Sequence, residues 1–181
     1  MKITAKDMIL VSLFAALTAV GAFLAIPLKP APITLQFLFT ALGGIMLGAK
    51  LGALSQITYV TLGLLGLPVF TKPGGLSYIF EPSFGYLMGF IFGAYAVGKI
   101  TEHKKPSFIR LFLASSLGIL ITYLIGVPYL YIILKYVTGT SITFTTALKT
   151  GFFIFLPGDM IKCIITALIG LKIIPRIRQE G

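Results

Sequence analysis

Polar and charged residues divide this chain into long, almost uninterrupted apolar runs. Six runs stand out, at about Met8–Ile26, Thr34–Gly48, Leu51–Leu67, Ser83–Gly98, Arg110–Leu134 and Pro157–Ile174. Crossing the hydrocarbon core of a bilayer takes roughly 20 mostly apolar residues in a helix. The runs come near that length, and the second is short unless tilted. Pro27, Pro30 and Pro32 end the first run, because proline cannot continue a helix and disfavours helical backbone before it. Lys50 alone separates the second run from the third. The third is followed by LPVFTKPGGLSYIFEP and the fourth by the hydrophilic KITEHKKPSF. After the fifth comes KYVTGTSITFTTALKTGFFIFL, which is Thr-rich and partly amphipathic. The pattern predicts an all-α, polytopic integral membrane protein, one domain over residues 1–181 with six transmembrane helices.

Composition narrows the function classes. Apolar residues make up 57% and charged residues 11% of the chain, and its mean hydropathy is +1.00. Soluble domains are near 45–50% apolar and about 25% charged. An ordinary cytosolic enzyme, a disordered tail and a nucleic-acid binder are therefore excluded. The net charge of +10 does not bring nucleic acid back, because the basic residues sit between the apolar runs and at the ends. There they set topology and meet lipid headgroups. With the N-terminus inside, Lys2, Lys6, Lys50, Lys99, Lys104, Lys105, Arg110, Lys172, Arg176 and Arg178 lie on the cytoplasmic side. Lys29, Lys72, Lys135 and Lys149 lie outside, giving ten against four with Lys162 left over. This bias predicts both termini in the cytoplasm, and the long Pro/Gly-rich loops facing out. Lys2 and Lys6 precede the first run as in a signal peptide, but the run meets a Pro-rich loop instead of a small-residue cleavage site, so it is expected to be retained. Cys163 and His103 are the only residues of their kinds. One chain thus offers no internal disulfide, cysteine metal cluster or histidine triad, and no cofactor is expected.

The candidate chemistry is sparse, which makes it easier to locate. Of the five acids, Asp7, Glu102 and Glu180 fall near the inner face or the termini, leaving Glu81 and Asp159. Asp159 precedes Lys162 by three residues in FLPGDMIKCIITALIG, so on a helix the two share a face. Pro157 suits the first turn, placing the pair at the start of the last span, where the helix dipole adds positive charge. The pair is either a self-neutralising ion pair or the polar anchor of an outward-facing pocket. An intramembrane ionisable group favours function. With neither a histidine nor a second carboxylate close in sequence, catalysis is the weaker reading. Gln36 and Tyr86 sit at the outer starts of the second and fourth spans. Glu81 can balance Lys72. Phe70, with Tyr78, Phe80 and Phe84, supplies aromatic surface near the same mouth, and Gly74–Gly75 allow a tight turn over a ligand. Ala15, Ala19 and Ala22, with Ser12, form a small-residue face that suits close helix approach, either within the bundle or onto a partner membrane protein.

Taken together, PITLQ at 32–36, GGIMLGAKLGALSQITYVTLGLLGLPVF at 43–70, the following Gly pair, PSFGYLMGF at 82–90 and FLPGDMIK at 155–162 resemble the BioY family. Its members are the biotin-binding membrane components, or S components, of energy-coupling factor vitamin transporters. The resemblance runs over nearly the whole chain. It implies six helices, cytoplasmic termini, residence in the cell membrane and a biotin pocket near the outer face closed by loops. It assigns Asp159 and Lys162 as polar anchors, places Gln36 and Tyr86 near the mouth, and makes Glu81 a departure from the small residue usual before that proline. It also implies a partner module of a membrane scaffold and two ATPases, with Ala15 and Ala19 as the expected docking face. The chain carries no G-x-x-x-x-G-K-[ST] loop, so ATP would be used by that partner. Biotin offers two ureido N–H donors, a ureido carbonyl, a thioether ring and a carboxylate. Asp159 can take the N–H groups, and Lys162 either the carbonyl or the carboxylate. Competing readings are an S component for another vitamin, a membrane enzyme acting on lipids and a stand-alone secondary transporter.

Overall fold

The computed structural model describes residues 3–179, with side chains described as far as Ile174. Of the charged residues named above, Lys2 and Glu180 lie outside the described residues, and the side chains of Arg176 and Arg178 are outside the described side chains. The elements follow the apolar runs. Helix α1 spans Ala5–Phe23 and is followed by a two-strand ribbon, β1 (Ala25–Ile26) with β2 (Ile33–Thr34). Then come α2 (Gln36–Leu64), a 3-10 turn at Leu76–Phe80, α3 (Phe84–Thr101), α4 (Phe108–Ile132), α5 (Phe144–Leu148) and α6 (Leu156–Gln179). Single π turns at Ile133–Val137 and Lys149–Phe153 flank α5. Among the described residues, five stretches are long and apolar enough to cross a membrane: α1, α2, α3, Phe108–Val137 and Phe144–Ile174.

Asp7 is a helix cap. Its Oδ2 accepts the Thr4 N–H at 2.9 Å while Thr4 Oγ1 accepts the Asp7 N–H at 3.2 Å, a reciprocal capping box that starts α1. The helix stops at Phe23, short of the expected Ile26. The residue before Pro27 is pushed to extended backbone, and Ala25 and Ile26 pair antiparallel with Thr34 and Ile33. This short ribbon is the exception to the all-helical expectation.

Helix α2 turns back on itself. Gly48 has φ 81 and ψ −178, a conformation that is not helical and is open essentially only to glycine. On either side the chain pairs in antiparallel register. Gln36 meets Tyr59 at 2.7 Å and Thr40 meets Gln56 at 3.1 Å, while a Cβ on Gly52 would stand 2.8 Å from the Gly44 Cα. The second and third apolar runs are thus the two limbs of one tight hairpin. The Glu102 carboxylate, just past α3, accepts the Ala49 N–H at 3.1 Å and so caps the returning limb. That hydrogen bond, joined by Lys99 at 3.3 Å, holds the Glu102 carboxyl below its ordinary range.

The remaining helices pack through small residues, as membrane bundles do. A Cβ on Gly89 would lie 2.7 Å from the Thr122 Cα, and one on Gly93 2.9 Å from the Gly118 oxygen, so α3 and α4 are in near backbone contact. Gly170 of α6 lies against Leu111 and Ile45, while the start of α6 meets Tyr123 further along α4. Following these antiparallel pairings, α1 starts and α6 ends at the Gly48 end of the bundle. The ribbon, the 65–83 loop and α5 gather at the opposite end.

Candidate functional site

At that opposite end the starts of α2, α3 and α6 and the middle of α4 line a partly open chamber. Its walls are apolar, formed mainly by Phe37, Leu87, Phe90, Ile119 and Phe155. Asp159 and Lys162 supply its charged base. The expected first-turn placement is what the structure shows: Asp159 lies in the first turn of α6, and Lys162 donates to its Oδ1 at 2.5 Å. The other oxygen, Oδ2, accepts the Tyr123 hydroxyl from α4. Both ionic side chains are more than nine-tenths buried. Burying such a pair costs several kcal/mol per ion before pairing returns it. Yet one ammonium hydrogen bond and two carboxylate bonds do not exhaust these groups. An ammonium has three donors and a carboxylate about four acceptor positions, so the base retains both kinds of hydrogen-bonding capacity for a ligand.

The rest of the chamber's polar lining is uncharged. It includes Gln36, Thr34, Thr71, Tyr78 and Ser83, with the Tyr78 hydroxyl 3.0 Å from Thr71 Oγ1 and 3.3 Å from Ser83 Oγ. Gln36 is 4% exposed, far drier than an interfacial amide. Tyr86 lines the chamber, and its hydroxyl donates to the Gly151 carbonyl at 2.8 Å. The ring meets Tyr123 edge-on, at 6.3 Å and 89°.

Asp159, Lys162, Gln36 and Tyr86 are therefore brought together. Phe70, Gly75 and Glu81 are not among the lining residues. The Phe70 ring fills the space above Gly63 and packs against Tyr59 at 5.4 Å and Tyr78 at 4.3 Å, bracing the wall from behind. Gly75, at φ 111, starts the 3-10 turn. Glu81 pairs with Lys72 at 2.6 Å in a largely solvated position. The small-residue face of α1 also departs from expectation. Ala15 and Ala19 are 3% and 8% exposed and belong to the same buried cluster as Phe37, Ala41 and Tyr59. They are covered by this chain's own α2, whose close approach needs their small size, and present no surface to a partner.

Sequence reasoning did not single out Tyr123 or Tyr59. Each had a signal. Thr122–Tyr123 is a polar pair in mid-span, and Gln56 and Tyr59 stand one turn apart in another; polar groups at such depth face the bundle interior.

A multi-pass membrane bundle that closes a mostly apolar chamber over a buried acid–amine pair defines a small-molecule-binding membrane subunit. The chain belongs to the BioY family, whose family model matches residues 1–179. It is 40% identical over 169 residues to the biotin transporter BioY of Thermotoga maritima, covering 93% of this chain and 95% of that protein. It is 38% identical over 168 residues to the probable biotin transporter BioY of Lysinibacillus sphaericus, covering 92% and 86%. Among solved structures, the S-component for biotin from an ECF-type ABC transporter superposes with a TM-score of 0.81 at 28% identity, covering 97% of this chain and 92% of that one. FolT bound with folic acid shares the fold, with a TM-score of 0.55 at 19% identity over 92% and 88% of the two chains.

Proposed function

We propose that this chain is the biotin-capturing S component of an energy-coupling factor transporter, a transport subunit and not an enzyme. One observation carries the reading: in a member of the BioY family, the buried Asp159–Lys162 pair forms the charged base of an otherwise apolar chamber. Asp159 accepts ureido N–H groups. Lys162 donates to the ureido carbonyl or to the carboxylate. The phenylalanine and leucine walls bury the thioether ring, worth about 25 cal/mol per Å² of apolar area.

In this reading the chain crosses the cell membrane six times, counting the two limbs of the Gly48 hairpin separately. Both termini are cytoplasmic and the chamber faces outward. Two features support that orientation. Lys50, Lys99, Lys104, Lys105, Arg110 and Lys172 fall at the Gly48 end, against Lys29, Lys72, Lys135 and Lys149 at the chamber end, as the positive-inside rule requires. The chamber also lies beneath the longer loops. Release inward is driven by a partner module with a membrane scaffold and two ATPases. Titration of the purified chain with biotin, thiamin, riboflavin and folate tests the assignment. Biotin is expected to bind most tightly, and tighter binding of another vitamin overturns it.

A further inference from the structure

Tyr59 is 1% exposed and does not line the chamber, yet its hydroxyl sits in a hydrogen-bonded chain that reaches it. Thr34 Oγ1 donates to Gln36 Oε1 at 2.9 Å, Gln36 Nε2 donates to the Tyr59 oxygen at 2.7 Å, and Tyr59 donates to the Val69 carbonyl at 3.0 Å. The direction of the chain is forced from its last link. A carbonyl only accepts, and a phenol has one hydrogen to give. Once that hydrogen goes to Val69, the phenol oxygen can only accept, and what it accepts is the Gln36 amide N–H. An amide side chain has two ends of nearly equal shape, and packing alone does not distinguish them. Here the distinction is made by hydrogen-bond chemistry. The nitrogen is held toward Tyr59, and the carbonyl end is turned toward Thr34, which lines the chamber as Gln36 does. The Tyr59 ring is itself fixed edge-on against Phe70, at 5.4 Å and 83°.

We infer that Tyr59 is a positioning residue for ligand binding: it sets the orientation of the Gln36 amide, so that Gln36 meets the ligand with its carbonyl end. The inference rests on the proposed biotin reading for its probe. The test is a double-mutant cycle with biotin titrated to saturation on purified full-length wild type, Tyr59→Phe, Gln36→Leu and the double variant. Wild type that fails to bind biotin overturns the functional reading. Given wild-type binding, Tyr59→Phe is expected to weaken it roughly fivefold, the effect of one ordinary hydrogen bond. In the Gln36→Leu background the same change is expected to do nothing further, because the amide it orients is gone. Equal losses in both backgrounds, or no loss in wild type, overturn the inference. If Tyr59→Phe alone does not fold, the two Gln36→Leu chains still decide the matter. Removing both partners of a buried hydrogen bond is far milder than removing one. Equal affinities of those two chains support positioning, and weaker binding by the double variant assigns Tyr59 a packing role instead.

Discussion

Lys162 and Asp159 stand 2.5 Å apart across one turn at the start of α6, at the base of a chamber whose walls are phenylalanine, leucine and isoleucine. A bare ion pair in that setting is poor value as a structural device, since apolar residues of similar volume are often as stable or more so. Its retained hydrogen-bonding capacity is what a ligand with both donors and acceptors can use.

Tyr123 belongs to the same unit, since its hydroxyl donates to the second Asp159 oxygen. Hydrogen bonds to charged groups contribute about 1.5–3 kcal/mol. Tyr123→Phe is therefore expected to weaken biotin binding by roughly tenfold or more while keeping the ring packed on Phe152. Calorimetry on the variant checks this, and unchanged affinity contradicts the role given to the hydroxyl.

The Gly48 hairpin makes a prediction about stability alone. At φ 81 and ψ −178, any other residue is strained by about 1–3 kcal/mol, and a Cβ there would also sit 3.2 Å from Glu102 Oε2. Gly48→Ala is expected to lower the thermal unfolding midpoint in detergent. Because the hairpin tip lies at the end of the bundle away from the chamber, biotin affinity of the folded fraction is expected to stay at the wild-type value.

Glu102 gives a pH dependence with a definite sign. Its carboxyl is held below the ordinary range, first by the Ala49 N–H and then by Lys99. A group whose folded pKa lies below its unfolded value stabilises the protein above the unfolded pKa and loses that contribution as pH falls through the folded one. The stability difference between wild type and Glu102→Gln is expected to be full at neutral pH and to shrink on acidification below the usual carboxylate range, near 4.3. Thermal melts across that range measure it, and a pH-independent difference contradicts the capping role.

The apolar runs were plain in the sequence because span length and hydropathy are one-dimensional properties. So was the Asp159–Lys162 pair, since two ions three residues apart on a helix must share a face. What stayed hidden depended on partners distant in sequence. Nothing near Tyr123 announces Asp159, and nothing near Phe70 says that it packs behind the chamber wall. Ala15 and Ala19 show the same limit from the other side. Small-residue spacing reports that a helix approaches closely, not which helix. Since that helix is α2 of the same chain, Ala19→Trp is expected to prevent folding altogether. A folded Ala19→Trp chain that binds biotin but fails to join its partner would restore the docking assignment.

The most direct test of the account removes the ion pair without leaving a lone buried charge. Asp159→Asn and Lys162→Ala singly are expected to weaken biotin binding tenfold or more, with some loss of stability, because breaking one side of a buried pair costs about 3–5 kcal/mol. The double variant Asp159→Leu with Lys162→Met should recover stability toward wild type and still not bind. Biotin titration of that stable double variant is the deciding measurement: the account predicts no detectable binding, and affinity within a few-fold of wild type would contradict it.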